Sequence, residues 1–345
     1  MGRRATVPRL SVVLAVEGAP QYAIRAVESV QNQNIHDIQI VISYAGLSAG
    51  VLHSLESVAD RDIHVDLVDA GEASTMACVR AGVDAARGTR VAIMRADDWY
   101  GPAALSKMLD RAIRADADIA FPQVLRDRYD SRHERHSRSV ALGNCTFANR
   151  DELAQGIGRI VSTNMISCAR GPLIVRDLLV SSLDPAPSLD GVSLMAGMLS
   201  QASSAMSFED AVFHMPADTI AGSFDPSMFL RACEDLSTLK SLLKAFDGRA
   251  GTDASVACER RFYGYLVAAI ENLCLSPRSV SSIERNARLR DMLQADSTRA
   301  AVAALAPLRR ELGPMWKPIS SARPFSCVVC AHLSDFLNLS VNKTA

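Results

Sequence analysis

The sequence predicts an α/β fold: a mostly parallel sheet with helices on both faces, followed by a helical C-terminal region. Three observations predict it. Short apolar runs alternate with helix-period segments through the first 125 residues, the pattern of βα units. The run Val91–Met94 shows no polar alternation, so it needs a core on both faces, as strands of parallel sheets do. From Asp225 onward the chain turns to amphipathic helices with few β-branched runs.

Taken in order, "LSVVLAV" (10–16) reads as a strand and "PQYAIRAVESVQNQ" (20–33) as a helix with Pro20 near its start. "DIQIVIS" (37–43) is the second strand, followed by a helix over "AGVLHSLESVAD". "DIHVDLVD" (62–69) alternates cleanly as a third strand, and "ASTMACVRAGVDAARG" is a small-residue helix with Gly88 expected as its C-cap. The strand "VAIMRADDWY" (91–100), a helix over "GPAALSKMLDRAIRADA" and a strand "DIAFPQVL" complete this part. The polar segment "RDRYDSRHERHSRS" (126–139) has no face to bury and is expected as an exposed loop, with a clamp for an anionic ligand as the alternative. "NRDELAQGIGRIV" reads as a helix capped by Asn149 or Asp151; "GPLIVRDLLVSSL" and "LDGVSLMAGMLSQA" read as short helices, and "SAMSFEDAVFHM" as strands. Gly248, Gly251 and Pro277 punctuate the C-terminal helices. The boundary is expected near residue 222, dividing the chain into 1–222 and 223–345.

Composition narrows the classes of function. A 345-residue chain holds one large domain or two of ordinary size, and 48% apolar with 22% charged residues is a globular profile. Lys plus Arg number 37 against 38 Asp plus Glu, so no global field draws the chain to nucleic acid. Eight cysteines scattered over this length do not form a small disulfide scaffold, and a reducing cytoplasm is expected. The first residues, "MGRRATVPRLSVVLAVEGAP", carry the ingredients of a leader. However, Pro8 and Arg9 interrupt it, and Leu10–Val16 is only strand length, so a first strand is the reading. No run reaches about 18 apolar residues, so no membrane span is implied. Peripheral membrane association stays open.

The chemistry concentrates where Val91–Met94 ends on Arg95, Asp97 and Asp98. Ligands of open α/β sheets bind at the carboxyl ends of strands. The order of strand, "ESVQNQ", "DIQIVIS", a helix ending "AARG", a strand, "ADDWY" and "ADIAFPQV" resembles the family-2 type of nucleotide-sugar glycosyltransferases, which have the GT-A fold. Ser29, Val30 and Gln33 match that family's Ser-Val-x-x-Gln pattern. The resemblance covers residues 9–125 well and extends more loosely to about 245.

It implies transfer of a sugar from a nucleotide diphosphate-sugar donor to a hydroxyl of a glycan or other acceptor, in polysaccharide or glycoconjugate assembly. A divalent metal, Mg²⁺ or Mn²⁺, would stabilise the departing diphosphate. In the family's Asp-x-Asp motif the second acid reaches the metal, and that position is Asp97, with Asp98 following. The first acid is replaced by Arg95. Either its guanidinium pairs with Asp97 or the diphosphate, partly standing in for a metal, or the donor site has decayed. The resemblance places Asp190, in "SLDGVSLMAGML", as the general base of an inverting transfer. It brings His214, in "VFHMP", toward the metal or diphosphate, and Glu17, Arg80 and Arg95 toward the donor. Each has a plainer reading: Asp97-Asp98 and Asp190 as helix N-caps, His214 as a core or surface histidine.

Several positions depart from the family. Glu17 and Gly18 replace an aromatic and an amide, Ala45 replaces the acid that reads the base, and Val79 stands at an arginine position with Arg80 one residue on. Each lost buried contact removes roughly 1–3 kcal/mol. A catalytically silent homologue that binds a partner is therefore the second hypothesis, and a nucleotidyltransferase the third. "CVVC" (327–330) has metal-type spacing without a second pair, so two buried thiols in a helix are expected.

Overall fold

The computed structural model describes residues 7–17, 22–129, 132, 134–184, 186–217, 224–275 and 280–337. Gly18, Pro20 and Pro277 lie outside these residues. The chain divides into two compact units, Met1–Ala217 and Asp218–Ala345.

In the first unit the strands are β1 (Leu10–Glu17), β2 (Ile38–Ala45), β3 (Val65–Asp69), β4 (Arg90–Arg95), β5 (Trp99–Tyr100), β6 (Ile119–Tyr129), β7 (Arg135–Val140), β8 (Cys145–Phe147), β9 (Leu173–Val175) and β10 (Ala205–Pro216). The helices between them are α1 (Ala23–Gln31), α2 (Ala49–Ala59), α3 (Thr75–Ala85), α4 (Ala104–Arg114), α5 (Arg150–Ser162), α6 (Arg176–Leu183) and α7 (Ser193–Gln201). One sheet runs β3-β2-β1-β4-β9-β6-β10-β5, with β7 added on β6 and β8 on β10. β1 pairs in parallel with β2 and β4, β2 with β3, and β6 with β10.

This order fixes where a ligand can sit. β1 to β2 to β3 steps one way across the sheet, so right-handed crossovers put α1 and α2 on one face. β3 to β4 steps back past β1, which puts α3 on the other. The crevice opens between β1 and β4, where the direction reverses, and strand ends there face a ligand site. Register sets Ala15 beside Arg95, so Glu17 and Arg95 stand at that mouth. The strands bury Leu10, Val12–Val16, Ile40–Ile42 and Val91–Met94, which explains their unbroken apolar runs.

Three expectations are corrected. "LIV" (173–175) is not helical; it is β9, inserted antiparallel between β4 and β6, and only Arg176 starts α6. Three residues, with Leu173 and Ile174 fully buried, give a strand with no room to show a period. Within the polar stretch, residues 126–129 belong to β6 and residues 135–139 to β7, paired antiparallel, so these parts are strand rather than loop. Backbone pairing holds this edge strand while its side chains stay exposed. Gly88 is not the C-cap of α3, a place held by Ala86. A Cβ at Gly88 would stand 2.5 Å from the backbone nitrogen of Ser11, so glycine is there for close approach to β1.

The second unit is helical: α8 (Met228–Lys244), α9 (Gly251–Leu275), α10 (Ser282–Gln294), α11 (Asp296–Leu305), α12 (Trp316–Ser320) and α13 (Pro324–Phe336). α9 is its axis, burying Cys258, Phe262, Leu266, Ile270 and Leu273, and α8, α10, α11 and α13 all pack on it. "CVVC" lies on α13 with Cys327 buried, and burial pushes that thiol up to about 12. It remains a thiol near neutrality; of the two thiols expected to be buried, Cys327 is and Cys330 is only half-buried. No described helix is long and apolar enough to cross a membrane.

Candidate active site

At the mouth of the sheet β4 ends in a tight turn. The Asp98 N–H donates to the Arg95 carbonyl, and the Arg95 N–H donates to Asp98 Oδ2 at 2.7 Å. The residues of the family pattern explain how this turn is held. Ser29 Oγ accepts from the Tyr100 N–H, Gln33 Nε2 donates to the Gly101 carbonyl, and Gln33 Oε1 accepts from the Leu105 N–H. Two side chains of α1 therefore clamp the backbone that follows the acids. Neither Asp97 nor Asp98 caps α4, whose N-cap is Ala103.

The adjacent acids point opposite ways. Asp98 is 0% exposed and receives Arg170 Nη1 at 2.8 and 3.0 Å on its two oxygens. Arg170, 3% exposed, arrives here because β9 runs antiparallel, so the residues before it reach the carboxyl end of β4. Gly171, whose N–H donates to Ile93, makes the close turn with φ +97°. A Cβ there would press to 2.6 Å on the Phe213 ring. Arg170 is a site residue that sequence reasoning missed. A three-residue strand after Gly171 would have been the signal.

Asp97 stays at the mouth. Arg95 Nε lies 3.5 Å from Asp97 Oδ1, and Arg95 Nη1 lies 3.7 Å from Asp190 Oδ2. Arg170 Nη2 lies 3.3 Å from Asp190 Oδ1. The structure therefore brings Asp97, Arg95, Asp190, Arg170 and Asp98 into one chain of alternating charge. Asp190 is not the cap of α7, a place taken by Val192; its carboxylate faces the two arginines and is half open to solvent.

The other candidates stand apart from this chain. Glu17 accepts from Thr75 Oγ1 at 2.6 Å, and Arg80 donates to the Ala186 carbonyl at 3.1 Å. His214 is stacked on Trp99, with ring centroids 4.5 Å apart, and its Nδ1 meets Asp127 Oδ2 at 2.8 Å. Arg25 covers Trp99 at 4.2 Å and donates to the Asp97 carbonyl. Arg25, Trp99 and Asp127 were not singled out from sequence. Among the described residues, no group of three or more His, Cys, Asp or Glu could hold a metal ion by itself.

Burial pushes the Asp98 carboxyl up to about 6, against the pull of the Arg170 guanidinium. The folded chain then binds a proton at a pH where an unfolded Asp, ordinarily near 3.8, is still ionised. The sign follows: this group's contribution to stability is greatest below the unfolded value and is lost as pH rises through about 6. Urea unfolding at about pH 7 and about pH 5 should show a gain on acidification of about 1 kcal/mol from Asp98. Asp98→Asn should flatten that part of the slope, and an unchanged slope would remove Asp98 as its source.

Comparison with known proteins bears on the fold that carries this site. Residues 11–170 match the family described as Glycosyl transferase family 2. "Putative glycosyltransferase EpsH" of Bacillus subtilis (strain 168) is 29% identical over 105 residues, which is 30% of this chain and 30% of that protein. The chain thus spans less than a third of the curated relative it matches. S. aureus TarS (residues 1–349), crystallised in complex with UDP-GlcNAc, superposes with a TM-score of 0.62 at 12% identity, covering 96% of this chain and 92% of that 1–349 chain. The mannosyltransferase PcManGT of Pyrobaculum calidifontis, in complex with GDP-Man and Mn²⁺, gives 0.51 at 12% identity over 97% and 88%. Likeness at this level of identity is one of fold. Residues 11–170 thus resemble glycosyl transferase family 2, and the architecture is GT-A-like.

Proposed function

We propose that the protein transfers a sugar from a nucleotide diphosphate-sugar to a hydroxyl acceptor with inversion, in polysaccharide or glycoconjugate assembly. One observation carries this reading: Asp97 and Asp190, from distant parts of the chain, meet on one guanidinium at the switch point of the sheet. Asp190 is the general base, half exposed and able to take the proton of an incoming hydroxyl. Arg170 positions it from below. The proposed setting is the cytoplasm, which suits eight cysteines that form no disulfide.

A divalent metal at Asp97, helped by Asp98 and His214, is what the resemblance implies for this chemistry. The residues do not suit it. Asp98 is committed to Arg170 and His214 to Asp127, while Arg95 already presents a positive charge 3.5 Å from Asp97 Oδ1. A metal ligated by that oxygen at about 2.0–2.6 Å would crowd a like charge.

A non-catalytic binding module is the second reading. It is favoured by Ala45, which is buried at the end of β2 where the resemblance expects a base-reading acid. Thermal unfolding with a panel of nucleoside diphosphates separates the two. Transfer predicts stabilisation by at least one of them, about 2.7 kcal/mol at a hundredfold excess over Kd. No shift with any nucleotide would leave the binding module.

A further inference from the structure

We propose that Arg95 is the cation that receives the donor's diphosphate, so that this chain binds its donor without a divalent metal. The inference rests on the glycosyl-transfer reading and specifies its cofactor requirement. Geometry is the first support. The Arg95 guanidinium sits between Asp97 and Asp190, at 3.5 and 3.7 Å, and both contacts are too long to be hydrogen bonds. Among the described residues its side chain makes ion pairs only, so its N–H donors remain available for phosphate oxygens. The carboxylates hold it in place, and its side chain is 37% exposed at the mouth. A planar fork of donors matches phosphate oxygens, which a lysine or a lone dipole does less well.

Charge is the second support. Where the family pattern places an acid, this chain has an arginine, a local change of two positive charges. That equals the charge of one divalent ion. Asp97 Oδ1 is buried and accepts no hydrogen bond, and its nearest charge is the Arg95 guanidinium. Arg95 thus occupies the electrostatic place of a metal bound to Asp97. A cation fixed in the chain also needs no loading, so the site is preorganised for the charge that develops on the leaving diphosphate.

The test is calorimetric titration of a panel of nucleoside diphosphates into the intact protein, with EDTA and then with Mn²⁺. Wild type should bind at least one nucleotide with Kd values that agree within about threefold in the two buffers. Arg95→Asp, which restores two acids, should lose at least about tenfold in EDTA and recover with Mn²⁺. Its ternary complex should show bound Mn²⁺ by electron paramagnetic resonance. Arg95→Met should lose the same affinity without rescue by Mn²⁺. A wild-type affinity that needs Mn²⁺ by tenfold or more would overturn the inference while leaving glycosyl transfer in place. Absence of any nucleotide binding in either buffer would remove both. The wild-type comparison decides even where a variant fails to fold.

Discussion

Arg170→Met is expected to lower the unfolding free energy of the first unit by about 3–5 kcal/mol, measured by chemical denaturation. The guanidinium is almost fully buried and bonds both oxygens of Asp98, which has no exposed surface. Removing it strands a carboxylate whose remaining hydrogen-bond donor is the backbone N–H of Arg95. Desolvation of the pair is already paid in the folded chain, so loss of one member costs more than the pair contributes. The double variant Asp98→Asn with Arg170→Met should therefore be more stable than Arg170→Met alone. If the double variant is no better, the loss comes from packing and the ion pair is not its cause.

Asp190→Asn is expected to slow sugar transfer by about 10²–10⁴-fold while leaving nucleoside diphosphate affinity within about threefold. Asparagine keeps the size of the side chain but cannot take a proton from a hydroxyl. Release of nucleoside diphosphate from the donor, followed with and without acceptor, gives the rate; calorimetry gives the affinity. A split of this kind marks a residue that acts in the transition state rather than in donor binding. An unchanged rate would remove Asp190 from the chemistry.

The parallel core was legible because its strands are buried on both faces and its helices repeat at helical spacing. Leu10–Glu17, Ile38–Ala45 and Arg90–Arg95 announce themselves as apolar runs. Very short or polar strands were not legible. Leu173–Val175 is too short to carry a period, and Arg135–Val140 is polar with its side chains exposed. Those two strands deliver Arg170 and complete the surroundings of Asp127, so both residues escaped notice. Asp97 and Asp98 stood out as a pair, yet both lie in the turn after β4, where side-chain directions follow from the turn's own hydrogen bonds. Only the fold decides which acid turns inward to Arg170 and which stays at the mouth. Ser29 and Gln33 were visible as a pattern, while their role as clamps on the backbone of residues 100–105 depends on the packing of α1 beside β5.

The central claim is that a diphosphate binds where β4 ends, against Arg95. Its most direct measurement compares a nucleoside with its diphosphate, by calorimetry on wild type and Arg95→Met. Wild type should prefer the diphosphate by at least about tenfold, and the variant should bind the two alike. A variant that keeps the full preference would place the diphosphate elsewhere and contradict the account.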